Sequence, residues 1–188
     1  MLHTTVRKAT GDHVRQLGRT LARALRDDPA IGWAYPEQAR RERLLPGYFE
    51  LLVRRIYLPL DDVYMTDDGM AAALWAPPGK WRVPAVAAAQ SRSAHMASLV
   101  EARHEKHDEP HYYLPYVGTD PDHQRQGYGT LLLRHVLDRC DEQGTAAYLE
   151  STSLENRALY DRLGFEVVEE LRWPDGGPPF WPMWREPR

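Results

Sequence analysis

The chain is organised around the stretch from Asp120 to Leu132, which reads DPDHQRQGYGTLL. It follows an aromatic segment, residues 112–117, that is expected to be extended, and it opens a helical pattern of apolar residues. Two glycines, Gly127 and Gly129, let a backbone come close to a ligand, and the unpaired N–H groups of a helix start favour an anion. The same turn carries polar side chains on Gln124, Arg125 and Gln126. The residues alone therefore predict a phosphate-binding turn.

Length and composition narrow the classes of protein. The chain has 188 residues, 43% of them hydrophobic and 27% charged, which predicts one ordinary globular domain over residues 1–188. Its formal net charge of −3 argues against a nucleic-acid partner, because such binding needs a basic surface. No apolar run approaches the roughly 20 residues of a membrane-spanning helix, and no signal peptide opens the chain. We therefore expect a cytoplasmic protein with no membrane partner.

Cysteine and histidine usage argues against a metal. The single cysteine, Cys140, excludes an internal disulfide and a cysteine-based metal site. It lies on the apolar face of the helix after the glycines, so we expect a core thiol rather than a nucleophile. A zinc site built from His104, His107 and His111 is disfavoured, because only the last two are four residues apart and Pro110 separates them. The sequence predicts no metal.

The N-terminal part predicts a strand and two helices. Residues 4–9 alternate as in a short strand, and a helix capped by Thr10 is expected to stop at residues 27–29, Asp-Asp-Pro. An aromatic loop, residues 31–36, then leads into a second helix over residues 37–57. Aromatic side chains between two helices either line a pocket or cover a core, and both interpretations stay open.

A hairpin is the clearest element of the first half. It joins residues 61–66 to residues 70–75 through an Asp-Asp-Gly turn, in which Gly69 supplies the positive φ of a tight turn. Beyond the hairpin, residues 84–107 are rich in alanine and compatible with a helix.

The second half alternates strands and helices more regularly. We expect strands over residues 111–119, 146–150, 165–171 and 180–185, a helix from Gly127 to Gln143, and a short helix within residues 151–162. Together with the first half, this order predicts an α/β protein of the α+β type. Its sheet is expected to be mixed, mostly antiparallel and six- to seven-stranded, with helices on both faces.

Two motifs decide between the kinds of phosphate site. A P-loop would need Gly-Lys-Ser or Gly-Lys-Thr, and a dinucleotide fingerprint would need a third glycine where Leu132 stands, so both fail. What fits is Gln124-x-x-Gly127-x-Gly129, followed about thirty residues later by the run from Tyr160 to Phe165, YDRLGF. In this order the pair resembles the coenzyme A motif and the tyrosine motif of the GNAT superfamily of N-acetyltransferases, most closely its puromycin N-acetyltransferase branch.

The resemblance implies the acyl-CoA N-acyltransferase fold and acetyl-CoA as co-substrate. It places the pyrophosphate on N–H groups at the start of the helix and the pantetheine arm along the preceding strand, where an N–H near Val117 would polarise the thioester. The coenzyme-binding residues that it implies are Val117, Gly118, Thr119, Gln124, Arg125, Gln126, Gly127, Tyr128, Gly129, Thr130 and Asn156. Many family members carry an asparagine where Ser153 stands here, so whether Ser153 or Asn156 contacts the coenzyme stays open.

The catalytic groups follow from the same resemblance. Tyr160 matches the tyrosine that protonates the leaving thiolate, a task suited to a phenol with a pKa of ~10. Glu150, at the end of its strand, is the first candidate for the base, with a water relay as its alternative. It could instead hold an arginine or cap the next turn. His111 is a poorer candidate, because it lies at the far end of its strand. Cys140 on a core face favours direct attack in a ternary complex, without an acyl-enzyme.

The acceptor pocket is expected in the first half of the chain. Residues 1–110 would form the acceptor side with a helical insertion, and residues 111–188 would bind acetyl-CoA. The predicted pocket residues are Trp33, Tyr35 and Tyr48, with Trp75 and Trp81 as further candidates. We expect a small-molecule primary amine as acceptor and a monomer or homodimer. A protein or peptide amine, and a non-catalytic acetyl-CoA-binding module, stay open as alternatives.

Overall fold

The computed structural model describes residues 4–80 and 109–188. Its strands are β1 (Val6–Lys8), β2 (Val63–Thr66), β3 (Ala71–Ala76), β4 (His111–Thr119), β5 (Ala146–Ser151), β6 (Glu166–Val167), β7 (Leu171–Arg172) and β8 (Pro179–Arg185). Its helices are α1 (Val14–Leu25), α2 (Pro29–Ala34), α3 (Gln38–Leu52), α4 (Tyr128–Gln143) and α5 (Leu154–Arg162). The expected helix over residues 84–107, together with Trp81, lies outside the described residues.

The strands form one mixed sheet in the order β1-β2-β3-β4-β5-β8-β6, and β7 pairs with β8. Strands β4 and β5 run parallel, whereas the other described pairs run antiparallel. The mixed, mostly antiparallel sheet is therefore confirmed. The described residues contain eight strands rather than six or seven, because the strand expected over residues 165–171 is divided into β6 and β7. Between them, Val168 donates its N–H to Pro182 of β8, and proline has no N–H to return.

Side-chain alternation along β3 shows how the sheet is covered. Ala71, Ala73 and Trp75 pack into a hydrophobic core with α4 and α5, which we call the α4-side core. Ala72 and Leu74 pack into a second core with α1 and α3, the α1-side core. Helices on both faces were expected, and they are confirmed. Trp75 is fully buried in the α4-side core, whereas Tyr48 packs against the α1-side core on the other face of the sheet.

The helices before β2 differ from the expected pattern in two places. The residues expected to form an aromatic loop belong largely to α2, whose first residue is Pro29 and whose N-cap is Asp28. A proline at the first helical position is favourable, because its missing N–H would find no partner there and its φ is already helical. Helix α3 continues through Pro46, and the chain then passes through a wider helical turn, Val53–Tyr57.

None of the helices in residues 4–80 and 109–188 is long and apolar enough to cross a membrane.

Candidate active site

The parallel strands β4 and β5 part halfway along. They pair from His111 opposite Ala146 to Leu114 opposite Leu149, while β4 continues to Thr119 with β3 as its described partner. Pro115 follows the last pair, and the register of β4 against β3 shifts there, so that β4 bulges. A proline cannot donate to a strand ladder and is typical of such irregular positions. The result is a gap between the ends of β4 and β5.

The turn after β4 presents backbone donors to this end of the sheet. Asp120 accepts the N–H of Asp122 at 3.1 Å and starts a short helical turn. Arg125 and Gly127 then take positive φ values of 61° and 93°, and α4 begins at Tyr128. The N–H groups from Gly127 to Thr130 donate to no acceptor among residues 4–80 and 109–188, and the first bond of α4 runs from Leu131 to the carbonyl of Gly127. The turn therefore offers four adjacent N–H groups to an anion.

Three glycines lie near the gap, and what a side chain would meet differs at each of them. A Cβ on Gly127 would meet no atom within 4 Å, which leaves open space in front of the donors, and its φ of 93° disfavours any other residue. A Cβ on Gly129 would lie 3.6 Å from Leu159, so this glycine faces α5. A Cβ on Gly118 would come within 2.7 Å of Ala24 in α1. Helix packing alone therefore explains Gly118.

The side chains of the turn divide into anchors and exposed groups. Tyr128 is buried, and its hydroxyl donates to Asp68 in the β2–β3 turn at 2.7 Å, which raises the pKa of Tyr128. Gln124 reaches the carbonyl of Thr119 at 3.4 Å. Arg125 is exposed and lies 3.5 Å from Glu155. The β2–β3 hairpin, which the sequence predicted, thus contacts and supports the turn between β4 and α4. The sequence did not indicate this contact.

Tyr160 lies in α5 with 6% of its surface exposed, and its ring packs against Phe165. Its hydroxyl makes no hydrogen bond with any residue that the structure describes, so it is not a core tyrosine bonded to a carbonyl. Burial, and secondly the charge of Asp28, raise the pKa of the Tyr160 phenol. The phenol is therefore protonated over the whole neutral range.

Glu150 lies among tyrosines on the α1 side of the sheet. Its Oε2 accepts the hydroxyl of Tyr113 at 2.9 Å. Burial and this carboxylate raise the pKa of Tyr113 well above its ordinary value. Tyr57 is buried as well, and burial, Tyr48 and Glu150 raise its pKa. A carboxylate and several phenols thus converge beside the gap.

The predicted pocket residues fall into two groups. Tyr48 lies 3.2 Å, oxygen to oxygen, from Tyr116 of β4, and the Tyr116 ring packs against Tyr57 at 6.3 Å between ring centroids. Tyr35 is near enough to both Tyr48 and Tyr116 to contribute to their raised pKa values, so Tyr35 and Tyr48 belong with the tyrosines around Glu150. Trp33 instead stacks on Trp173 at 6.3 Å between ring centroids, in a separate aromatic cluster with the β7–β8 segment. The structure does not bring Trp33 together with Tyr48.

The remaining candidates are Ser153, Asn156, His111 and Cys140, and the structure gives the contacts of each. Ser153 caps α5 by accepting the N–H of Asn156 at 3.1 Å, and the side-chain amide of Asn156 bonds to none of the described groups. His111 is buried at the start of β4 between the rings of Tyr148 and Trp184. Cys140 is fully buried, which raises its pKa to about 12 and confirms the expected core thiol.

One residue of this region was missed by sequence reasoning. Asp28, interpreted there only as part of a helix stop, accepts the hydroxyl of Thr152, which follows β5. The two residues are 124 positions apart, so no local pattern connects them.

The model of the acetyltransferase (GNAT) family matches residues 67–165, just over half of the chain. The chain belongs to this family. The matched segment runs from the β2–β3 turn through the donor turn and Tyr160 to Phe165. The GNAT resemblance of the sequence is confirmed, while the puromycin branch stays a prediction.

Similar proteins include an uncharacterised N-acetyltransferase of Schizosaccharomyces pombe, 36% identical over 64 residues, which are 34% of this chain and 26% of that protein. The ribosomal protein bS18-alanine N-acetyltransferase of Escherichia coli is 40% identical over 52 residues, 26% of this chain and 35% of the relative. The matches to these curated relatives thus span about a third of their length or less.

Solved structures match at least 97% of the chain. One of them, from Corynebacterium glutamicum, is described as 'histone acetyltransferase HPA2 and related acetyltransferase'. It superposes with a TM-score of 0.78 at 27% identity, over 100% of this chain and 98% of that one. A polyamine N-acetyltransferase of Drosophila melanogaster gives 0.68 at 19% identity, over 97% and 99%. The second likeness shows the shared fold.

Enzymes of the GNAT fold use acetyl-CoA as co-substrate, and the residues here fit that molecule. The four N–H groups from Gly127 to Thr130 suit its pyrophosphate. The open space at Gly127 admits it, and the gap beyond Leu114 offers the edge of β4 to its pantetheine arm.

Proposed function

We propose that the protein is an acetyl-CoA-dependent N-acetyltransferase that moves the acetyl group to a primary amine of a small molecule by direct attack in a ternary complex. One arrangement carries the proposal: unpaired N–H donors at the start of α4 lie at the end of a parting strand pair, and a buried tyrosine without a described partner lies on the next helix. This arrangement serves a long anionic thioester better than it serves a nucleotide.

On the donor side, N–H groups from Arg125 to Thr130 hold the pyrophosphate. The edge of β4 at Val117, Gly118 and Thr119 pairs with the pantetheine arm as with an added strand. An N–H near Val117 donates to the thioester oxygen as charge develops there, a contact worth ~3 kcal/mol. The side-chain amide of Asn156, in the first turn of α5, then donates to the arm.

In the reaction, the amine nitrogen forms a bond to the thioester carbon and the C–S bond breaks. Tyr160 gives its phenolic proton to the departing thiolate. The proton lost by the amine goes to Glu150, or to water held by Glu150 and the tyrosines beside it. The products are the N-acetyl amine and coenzyme A, and proton return from the carboxylate to Tyr160 through solvent restores the enzyme.

The tyrosines around Glu150 support a cationic or aromatic amine as acceptor. Aromatic faces attract an ammonium group, and a carboxylate among them favours the same charge. Tyr48 of α3 and Tyr35, which follows α2, join this group, so the acceptor side combines residues of the first half of the chain with Tyr116 and Glu150 of the second half. Trp33 would then border the pocket from the β7–β8 side rather than line it.

A peptide amine is the second candidate acceptor. The observation that favours it is the similarity to an enzyme named for the alanine of ribosomal protein bS18. A peptide needs an open path to the gap, whereas a small amine does not.

The deciding experiment is a coenzyme-release assay with a panel of acceptors: polyamines, arylalkylamines, aminonucleosides, a lysine peptide and a peptide with N-terminal alanine. We expect release with at least one small amine, and much slower release with both peptides. Fast release with a peptide alone would favour the second candidate. Binding of acetyl-CoA without release for any acceptor would instead indicate a non-catalytic module, and calorimetry provides that binding measurement. Sedimentation measures whether the protein is a monomer or a homodimer.

A further inference from the structure

The side chain of Asp68 makes more bonds than the tight turn between β2 and β3 requires. Its Oδ1 accepts the N–H of Met70 at 2.9 Å and the hydroxyl of Thr66 at 2.6 Å, and these two bonds lie within the hairpin. Its Oδ2 accepts the phenolic hydroxyl of Tyr128 at 2.7 Å. One oxygen therefore serves the hairpin, and the other binds a residue 60 positions later in the chain.

The tip of the hairpin is a firm support for the donor turn, residues 120–128. The carbonyl of Gly69 accepts the hydroxyl of Thr20 in α1 at 2.9 Å, in a buried bond that fixes the tip against the helix layer. The carbonyl of Met70 accepts the N–H of Asp120 at 2.7 Å. The donor turn is therefore attached to the hairpin at both of its ends, through the backbone at Asp120 and through the side chain at Tyr128.

Between these two ends, the donor turn is held less firmly. Gln124 reaches the carbonyl of Thr119 at 3.4 Å, and the exposed side chain of Arg125 lies 3.5 Å from Glu155. Both contacts are long for hydrogen bonds. Arg125 also has a φ of 61°, which is unfavourable for a residue with a side chain, so the turn needs support to keep its shape. Among the described side chains, that of Tyr128 gives this support where the N–H donors begin.

We propose that Asp68 is a positioning residue for the coenzyme: by accepting the hydroxyl of Tyr128 it fixes the start of α4, so that the N–H groups from Gly127 to Thr130 stay aligned on the pyrophosphate. The proposal rests on the coenzyme site proposed above. Asp68 acts through Tyr128 and does not itself contact the coenzyme. A carboxylate suits this task, because a hydrogen bond to a charged acceptor is shorter and stronger than one to a neutral acceptor.

The first test removes the hydroxyl and keeps the ring. We expect Tyr128→Phe to raise the dissociation constant for acetyl-CoA, measured by calorimetry, about tenfold, because one hydrogen bond to a charged group is lost. Tyr112→Phe is the matched control, since its hydroxyl bonds to Gln143 at the other end of α4 at 3.1 Å. Its dissociation constant should equal that of wild type. An unchanged affinity in Tyr128→Phe would overturn the proposal.

The second test changes the other partner of the bond. Asp68→Asn removes the charge of the acceptor and keeps its shape, so it should also weaken the binding of acetyl-CoA. Combined with Tyr128→Phe it should add little, because both changes act on the same bond. Fully additive effects would overturn the coupling of the pair. Should Tyr128→Phe fail to fold, Asp68→Asn tests the bond alone, and an affinity equal to that of wild type would then overturn the proposal.

A donor without a pyrophosphate separates positioning from general damage to the fold. With an amine that the wild type acetylates, Tyr128→Phe should raise the KM for acetyl-CoA while kcat stays the same. For S-acetylpantetheine, which lacks the pyrophosphate, kcat/KM should equal that of wild type. An equal loss with both donors would overturn the proposal. If the wild type binds acetyl-CoA but acetylates no amine, the transfer function has failed, while the calorimetric comparison still decides the role of Asp68.

Discussion

At the scale of single residues, Tyr160 carries the clearest chemical prediction. Tyr160→Phe removes the proton donor and leaves the ring in place against Phe165. Turnover should fall about a hundredfold or more, because general acid catalysis contributes that much. The affinity for acetyl-CoA, measured by calorimetry, should stay the same. Tyr112→Phe is the control, since that hydroxyl bonds to Gln143 in α4 at 3.1 Å and has no part in the chemistry. Equal rates for wild type and Tyr160→Phe would refute the acid role.

A substitution at Gly127 tests whether glycine is needed there for the backbone conformation alone or also for binding the ligand. Gly127→Ala forces a side chain onto a φ of 93° and places it in the open space before the N–H donors. We expect a loss of about 1–2 kcal/mol in stability from the backbone and weaker binding of acetyl-CoA.

Gly144, at the other end of α4, supplies the matched control. It also has a positive φ, 61°, and open space around its Cβ position. Gly144→Ala should therefore destabilise the protein by a similar amount while acetyl-CoA binds as in wild type. Equal affinities in the two variants would contradict the donor site at Gly127.

At the scale of elements, the junction of α4 with β8 holds the donor helix on the sheet. Arg185 is 5% exposed, donates to both oxygens of Asp141 at 2.7 Å and bonds the carbonyl of Leu163 at 2.9 Å. Asp141→Asn leaves this guanidinium buried without its charge partner, so the free energy of unfolding should fall by about 3 kcal/mol. Chemical denaturation measures the change.

The same pair predicts how stability depends on pH. The hydrogen bonds from Arg185 hold the pKa of Asp141 below its ordinary value. The stabilisation is therefore complete above the unfolded carboxyl pKa of ~3.9 and is lost as the pH falls through the lower folded value. Asp161→Asn is the control, because its partner Arg157 lies 4.0 Å away on the surface. A surface pair contributes at most about 1 kcal/mol, so an equal loss in both variants would contradict the importance of the Arg185 pair.

At the scale of the whole molecule, acetyl-CoA should stabilise the fold. A ligand that binds only the native state adds ~2.7 kcal/mol at a hundred times its dissociation constant. The melting temperature should therefore rise with acetyl-CoA, and ATP at the same concentration should change it far less. A larger rise with ATP would favour a nucleotide site and refute the coenzyme assignment.

Much of the fold could be predicted because its signals are local. The Asp67-Asp68-Gly69 hairpin, the limits of β4 and the end of α4 at Gly144 lie where the sequence placed them, since turn glycines and apolar periodicity act within a few residues. The division of the last strands was missed because it depends on Pro182, which lies in a partner strand rather than in the divided segment.

The candidate site divides in the same way. The donor turn and Tyr160 could be read from spacing, because a helix start exposes its N–H groups whatever surrounds it. The acceptor side could not be predicted in this way, because the sequence around an aromatic residue does not indicate which distant residue it packs against. Trp75 packs in the α4-side core, Trp33 stacks on Trp173, and Tyr48 faces Tyr116.

The sequence by itself determined the family, the phosphate-binding turn and the tyrosine that follows it, because backbone geometry at Gly127 and Gly129 is set by the chain around them. Only the tertiary structure decided that β4 and β5 part after Leu114, and that Asp28 bonds Thr152 beside the gap. Those features depend on which distant strand or helix supplies the partner. Tertiary packing determines which element that is.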